Sequence, residues 1–144
     1  LPISLYINLG DYPKAIEYAD RALKSNPAFG PAFFNKGNAY ARMQKPNEAL
    51  AAYREGVRYD PRNGKIHAAI ASAHLTLNRH EEARREARRA IELEPDYLTG
   101  RLLLVEICAA MNDGAGAQAA FVAARAMAPN HPDVRRLAQK YFSR

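Results

Sequence analysis

The chain has 144 residues, 48% apolar and 25% charged, with a formal net charge of +6, which suits one folded domain and argues against disorder. Its one cysteine, Cys108, excludes an internal disulfide and a cysteine-built metal cluster. No apolar run approaches the ~18–20 residues that span a bilayer, so membrane insertion is not expected.

The first residues, Leu1 to Asn8, carry neither the basic segment nor the cleavage site of a secretory signal, and the expected location is the cytoplasm. The chain opens on Leu1 rather than Met, as a segment of a longer protein would. Frequent alanine and more Arg than Lys point to a bacterial source. From Gly10 onward the pattern is helical. Small or apolar residues at Tyr12, Ala15, Ile16, Ala19, Ala22 and Leu23 lie on one face of a helix running from about 12 to 25. Gly10 suits the left-handed residue that ends a preceding helix, Pro13 suits a first turn, and Pro27 disfavours the helical conformation at Asn26. Leu1 to Leu9 suffices for only part of a helix.

Pro27 then returns as Pro61, Pro95 and Pro129, each 34 residues after the last, and Gly10 returns at the same interval as Gln44, Asn78 and Asn112. A fixed period of this size is the mark of stacked repeats. It divides the chain into a truncated first repeat (1–29), three full repeats (30–63, 64–97, 98–131) and a capping helix (132–144). His131-Pro132-Asp133 opens that last helix, with Val134, Leu137, Ala138 and Tyr141 on its apolar face.

The second repeat reads Phe33-x2-Lys36-Gly37-x2-Tyr40, then Ala49-x3-Tyr53, then Pro61. Gly37 and Ala49 are small where antiparallel helices approach closely, while Phe33, Tyr40 and Tyr53 fill wider gaps. Lys36 leaves a corner partly solvated or covered by its stem. The third repeat places His67, Ile70, Ala71 and His74 at the same positions; the fourth places Arg101, Leu104, Val105 and Cys108. Val105 at the small position and Arg101 at the aromatic one predict a looser last pair. In this frame the chain resembles the tetratricopeptide repeat (TPR) family along essentially its whole length.

That resemblance implies an all-α, right-handed superhelix of antiparallel helix pairs, without catalytic activity or cofactor. Its first helices would line a concave groove that holds a peptide or helix segment of a partner protein. By the family's groove positions, the candidate residues here are Phe34, Asn35, Asn38, Arg42, Lys65, Ser72, Thr76, Leu102 and Glu106. Asn35 and Asn38 stand out because an amide offers both donors and an acceptor to an extended backbone, though two solvated amides would look the same. The chaperone-tail clamp known in some members is matched only at Asn35 and Lys65. Ala69 stands where the carboxylate-binding Arg is needed and Ser4 where an Asn is, so that ligand is disfavoured.

Two other readings compete. The truncated first repeat would dock on another domain or copy in an assembly module. The stretch Arg79 to Arg89 would offer Arg84, Arg85, Arg88 and Arg89 to RNA or another polyanion. However, Glu81 is spaced to pair with Arg84 or Arg85, Glu82 with Arg85 and Glu86 with Arg89, and no aromatic interleaves the arginines. A solvated, salt-bridged outer face is the better reading. Enzyme signatures are missing: His67 and His74 lie ~10 Å apart along a helix, His74 and Cys108 suit a core layer, and Gly114-Ala115-Gly116 follows no strand.

Overall fold

The structure, a computed structural model, describes residues 2–143, and every regular element among them is helical. The α-helices are α1 (Ile3–Asn8), α2 (Tyr12–Ser25), α3 (Gly30–Arg42), α4 (Pro46–Tyr59), α5 (Gly64–Thr76), α6 (His80–Leu93), α7 (Leu98–Ala110), α8 (Gly114–Met127) and α9 (Pro132–Leu137). A π-helical turn, Ala138–Phe142, continues α9. Successive helices pack as antiparallel pairs in a right-handed superhelix, and α9 caps the last pair.

Two alternating turns generate this stack, and both are written locally. Within each pair the chain passes through one left-handed residue: Gly10 (φ 79°), Gln44 (φ 60°), Asn78 (φ 58°) and Asn112 (φ 57°). The next amide then donates to the carbonyl five residues back, as Asp11 to Tyr6 (2.9 Å), Lys45 to Tyr40 (2.9 Å), Arg79 to His74 (2.9 Å) and Asp113 to Cys108 (2.8 Å). This closes orphan carbonyls at each helix end. Between pairs, Asn26, Asp60, Glu94 and Ala128 precede the periodic prolines and are forced out of the helical region, with φ of −141°, −142°, −134° and −149°. Side-chain caps support α2, α5 and α8, where Asp11, Asn63 and Asp113 accept from first-turn amides.

The helix pairs close on small residues. A Cβ at Gly37 would collide with the Tyr53 ring, which is 2% exposed. The equivalent contact in the next pair is made by Ala71 with Ala83 and Ala87, and in the last by Val105 with Phe121 and Ala124. As Val105 predicts, α7 and α8 touch less closely than the two pairs before them, yet Val105 is fully buried, because Val134 and Leu137 of α9 complete its layer. Lys36 reaches across to α2, donating to Asp20 at 2.8 Å, so its corner is covered by an ion pair.

Polar groups in the second layer modify the expected helix surface. Glu86 does not pair with Arg89: it turns inward and accepts from His67 Nδ1 at 2.7 Å, while Arg89 pairs with Glu92 at 3.1 Å. His67 Nε2 faces the Pro61 carbonyl at 3.0 Å. Both ring nitrogens thus face acceptors, which only the imidazolium can satisfy as a double donor. The Glu86 carboxylate holds the His67 pKa above its ordinary 6.5 against the opposing effect of burial. His74 and Cys108 are both buried, as expected of a core layer. Burial, aided by Arg54 and Arg79 and opposed by Glu82 and Glu86, pushes His74 below 6.5; burial pushes the Cys108 thiol up.

Two predictions follow from this packing. Gly37→Ala should destabilise the domain by about 1–3 kcal/mol in urea unfolding, because the Tyr53 ring must move from a filled layer. The two histidines should also give stability a maximum in pH. The His67 contribution is complete below its unperturbed pKa of 6.5 and is lost as pH rises through its raised value; that of His74 is complete above 6.5 and is lost as pH falls through its lowered value. Unfolding midpoints measured from about pH 5 to about pH 9 should fall on both sides. Glu86→Gln should flatten the alkaline limb while the acid one persists, somewhat deepened, because Glu86 also opposes the lowering of His74.

Candidate functional site

The first helix of each pair contributes to one continuous cavity of about 840 Å³, lined from α1, α3, α5 and α7. Residues spaced by three and four present one stripe of each helix. On α3 these are Phe34, Asn35, Asn38, Ala41 and Arg42; on α5 they are Lys65, Ala68, Ala69, Ser72, Ala73 and Thr76. The alanines of α5 make a floor with little side-chain bulk, flanked by the amides of α3. Ser4 and Asn8 of α1 close one end, and Thr99 and Leu103 of α7 the other.

Phe34, Asn35, Asn38, Arg42, Lys65, Ser72 and Thr76 therefore share this cavity. Leu102 and Glu106 do not. Leu102 packs onto the apolar cluster of Phe121, Val134 and Leu137, and Glu106 Oε1 accepts from Arg136 Nη1 at 3.3 Å. The capping helix occupies that end of the stripe, so the two positions hold α9 in place.

Tyr53 of α4 and Tyr97, the N-cap residue of α7, also line the cavity. The close approach of α4 at Gly37 carries the Tyr53 ring past α3. There its hydroxyl donates to Asn38 Oδ1 at 2.6 Å. Burial holds the Tyr53 pKa far above its ordinary 10, so the hydroxyl remains a donor. The Asn38 carbonyl is thereby used, and its two N–H donors are the part left for a ligand. The pattern Ala49-x3-Tyr53 marked this ring as a gap filler but held no sign of its polar tip. Lys65 Nζ sits 5.7 Å from the Tyr97 ring centroid, a cation–π contact that steadies the ammonium. Thr76 Oγ1 donates to the Ser72 carbonyl at 3.1 Å.

Among the described lining residues, Arg42 and Lys65 are charged and no carboxylate is present. The cavity is therefore a cationic, amide-bearing channel with a small-residue floor. The arginines of α6 are arranged differently. Arg84 is partly buried and bonded to Glu81 at 3.0 Å, with Asp113 at 3.7 Å; Arg89 is paired with Glu92; Arg88 is exposed; and Arg85 lines a separate cavity beneath α6. They form no single free basic face.

A sequence profile described as Tetratricopeptide repeat matches residues 3–42 and 34–97, and a second profile of that description matches 75–141. Protein STIP1 homolog of Dictyostelium discoideum is 30% identical over 80 residues, covering 56% of this chain and 14% of that protein. The chain thus spans a small fraction of that relative's length. The crystal structure of a thermophilic TPR protein of Thermus thermophilus superposes with a TM-score of 0.85 at 21% identity, over 95% of this chain and 76% of that one. The first TPR of Spaghetti (RPAP3), solved bound to the HSP90 peptide SRMEEVD, superposes with a TM-score of 0.72 at 23% identity, over 79% of this chain and 96% of that one. With its paired helices, its alternating left-handed and pre-proline turns, and profile matches running from residue 3 to residue 141, the chain belongs to the tetratricopeptide repeat family.

Proposed function

We propose that the protein is a non-catalytic scaffold that holds an extended segment of a partner protein in the cavity lined by α1, α3, α5 and α7, with a preference for acidic segments. Proteins of this family mediate protein–protein interaction. The observation that carries the finer reading is the lining itself: amide donors of Asn35 and Asn38 beside an alanine floor, with Arg42 and Lys65 unopposed by any carboxylate among the described lining residues. Amides bind the backbone of any extended chain, and the two cations select for charge. The HSP90 peptide held by the first TPR of Spaghetti is acidic near its end, SRMEEVD. In this chain Ala69 occupies the position of the clamp Arg, so the reading assigns recognition to backbone and side-chain charge rather than to a bidentate grip on a terminal carboxylate.

Binding should be measured with fluorescent extended peptides of matched length, acidic or basic, at two salt concentrations. Acidic peptides should bind more tightly and weaken with salt. Asn35→Ala with Lys65→Ala should weaken them by about tenfold or more, roughly one lost charge-assisted hydrogen bond, while helix content and melting stay unchanged. Asn38→Ala is a poorer probe, since it also leaves the buried Tyr53 hydroxyl unpaired, at about 1–3 kcal/mol of stability. Equal binding of both peptides, or binding indifferent to Asn35 and Lys65, would place recognition elsewhere.

A further inference from the structure

A second cavity, of about 380 Å³, opens on the opposite side of α5, between α4 and α6. It exists because two ring positions change character from one pair to the next. On α3 these positions are Phe33, stacked on Tyr59 at 5.8 Å, and Tyr40; on α5 they are His67 and His74. The smaller, polar imidazoles form the floor with Ile70, and the space an aromatic layer would fill is left open.

The walls carry the charge. Arg54 projects from α4, Arg79 from the turn before α6, and Arg85 from α6, and among the described residues none of the three has an acidic partner within ion-pair distance. Two carboxylates also line the cavity, Glu82 and Glu86. Glu86 is matched by the His67 imidazolium at 2.7 Å, so that pair is neutral. Three guanidiniums less one carboxylate, Glu82, leave a surplus of two positive charges. On the floor, His74 is 5% exposed and its Nδ1 has no hydrogen-bond partner.

We propose that this cavity binds a phosphate group, either free phosphate or the phosphate of a phosphorylated side chain. A phosphate carries about −1.5 to −2 charge at neutral pH, which matches the surplus. Guanidinium forks from two helices match its tetrahedral oxygens, as a compact ammonium would not. His74 lies beneath with its Nδ1 unpaired, and with the imidazole proton on that nitrogen it donates to a phosphate oxygen. This site is separate from the peptide cavity, since α5 stands between them and shares no lining residue with both.

The test is a titration of the protein with sodium phosphate against sodium chloride of equal ionic strength, read from the His74 ring resonances and from Tm. Phosphate should shift the resonances saturably and raise Tm. Arg54→Ala with Arg79→Ala, both exposed, should raise the half-saturating concentration by about tenfold and leave Tm in chloride unchanged. Glu82→Gln, which removes the opposing carboxylate, should tighten binding. A phosphoserine peptide run beside free phosphate separates the two sources: tighter binding of the peptide assigns a phosphorylated protein, and equal or weaker binding assigns the free anion. No saturable response to either, or a response indifferent to Arg54, Arg79 and Glu82, would overturn the proposal.

Discussion

The Tyr53 ring lying against Gly37 is the contact on which the rest of the structure depends. Without a side chain at 37, α4 closes onto α3 and a full aromatic ring is buried, a gain of about 1.5–3 kcal/mol by area. The same approach delivers the hydroxyl to Asn38, the residue after Gly37 on α3. One residue pair thus sets the helix spacing and fixes the orientation of a cavity amide. Helix pairing and groove chemistry are not independent here, because the ring that fills the layer also ends in a hydrogen bond.

Helix α5 is the shared wall of the molecule. Its stripe of Lys65, Ala68, Ser72 and Thr76 faces the larger cavity, and His67, Ile70 and His74 face the smaller one. A helix with polar work on two sides cannot show the single apolar stripe of a surface helix. Its neighbours supply the missing order: Glu86 fixes one imidazole, and the alanine contacts with α6 seat the backbone. Both sides carry a cationic surplus, but its make-up differs: carboxylates stand among the cations of the smaller cavity and are missing from the described lining of the larger.

The end of the stack follows the same logic of one element completing another. The last pair carries Val105 where the earlier pairs have Gly37 and Ala71, and its layer closes only when α9 adds Val134 and Leu137. The cap also takes Leu102 and Glu106 for itself. A terminal helix in a repeat array must cover the apolar face that no further repeat will cover. Here the covering removes two positions from the concave stripe, and the usable cavity lies across α1, α3, α5 and α7.

The helices, their turns and the identity of most cavity residues were legible in the sequence because each rests on short-range physics. A proline constrains the residue before it, Gly or Asn tolerates a left-handed turn, and residues three and four apart share a helix face. Gly37 with Tyr53 was legible too, as a small residue opposite a large one. Partner choice among polar side chains was not. Glu86 has Arg89 three residues away yet bonds His67, 19 residues back, and Glu106 bonds Arg136, 30 residues on. A long side chain reaches several partners at similar cost in chain entropy. For Glu86 the burial of His67 decides, by rewarding the pair that leaves no charge unmatched in the interior; for the partly exposed Glu106 the docking of α9 decides, by bringing Arg136 within reach. The 34-residue period therefore determined where each residue stands, and only the packed structure decided which polar groups are spent holding the fold and which remain for a ligand.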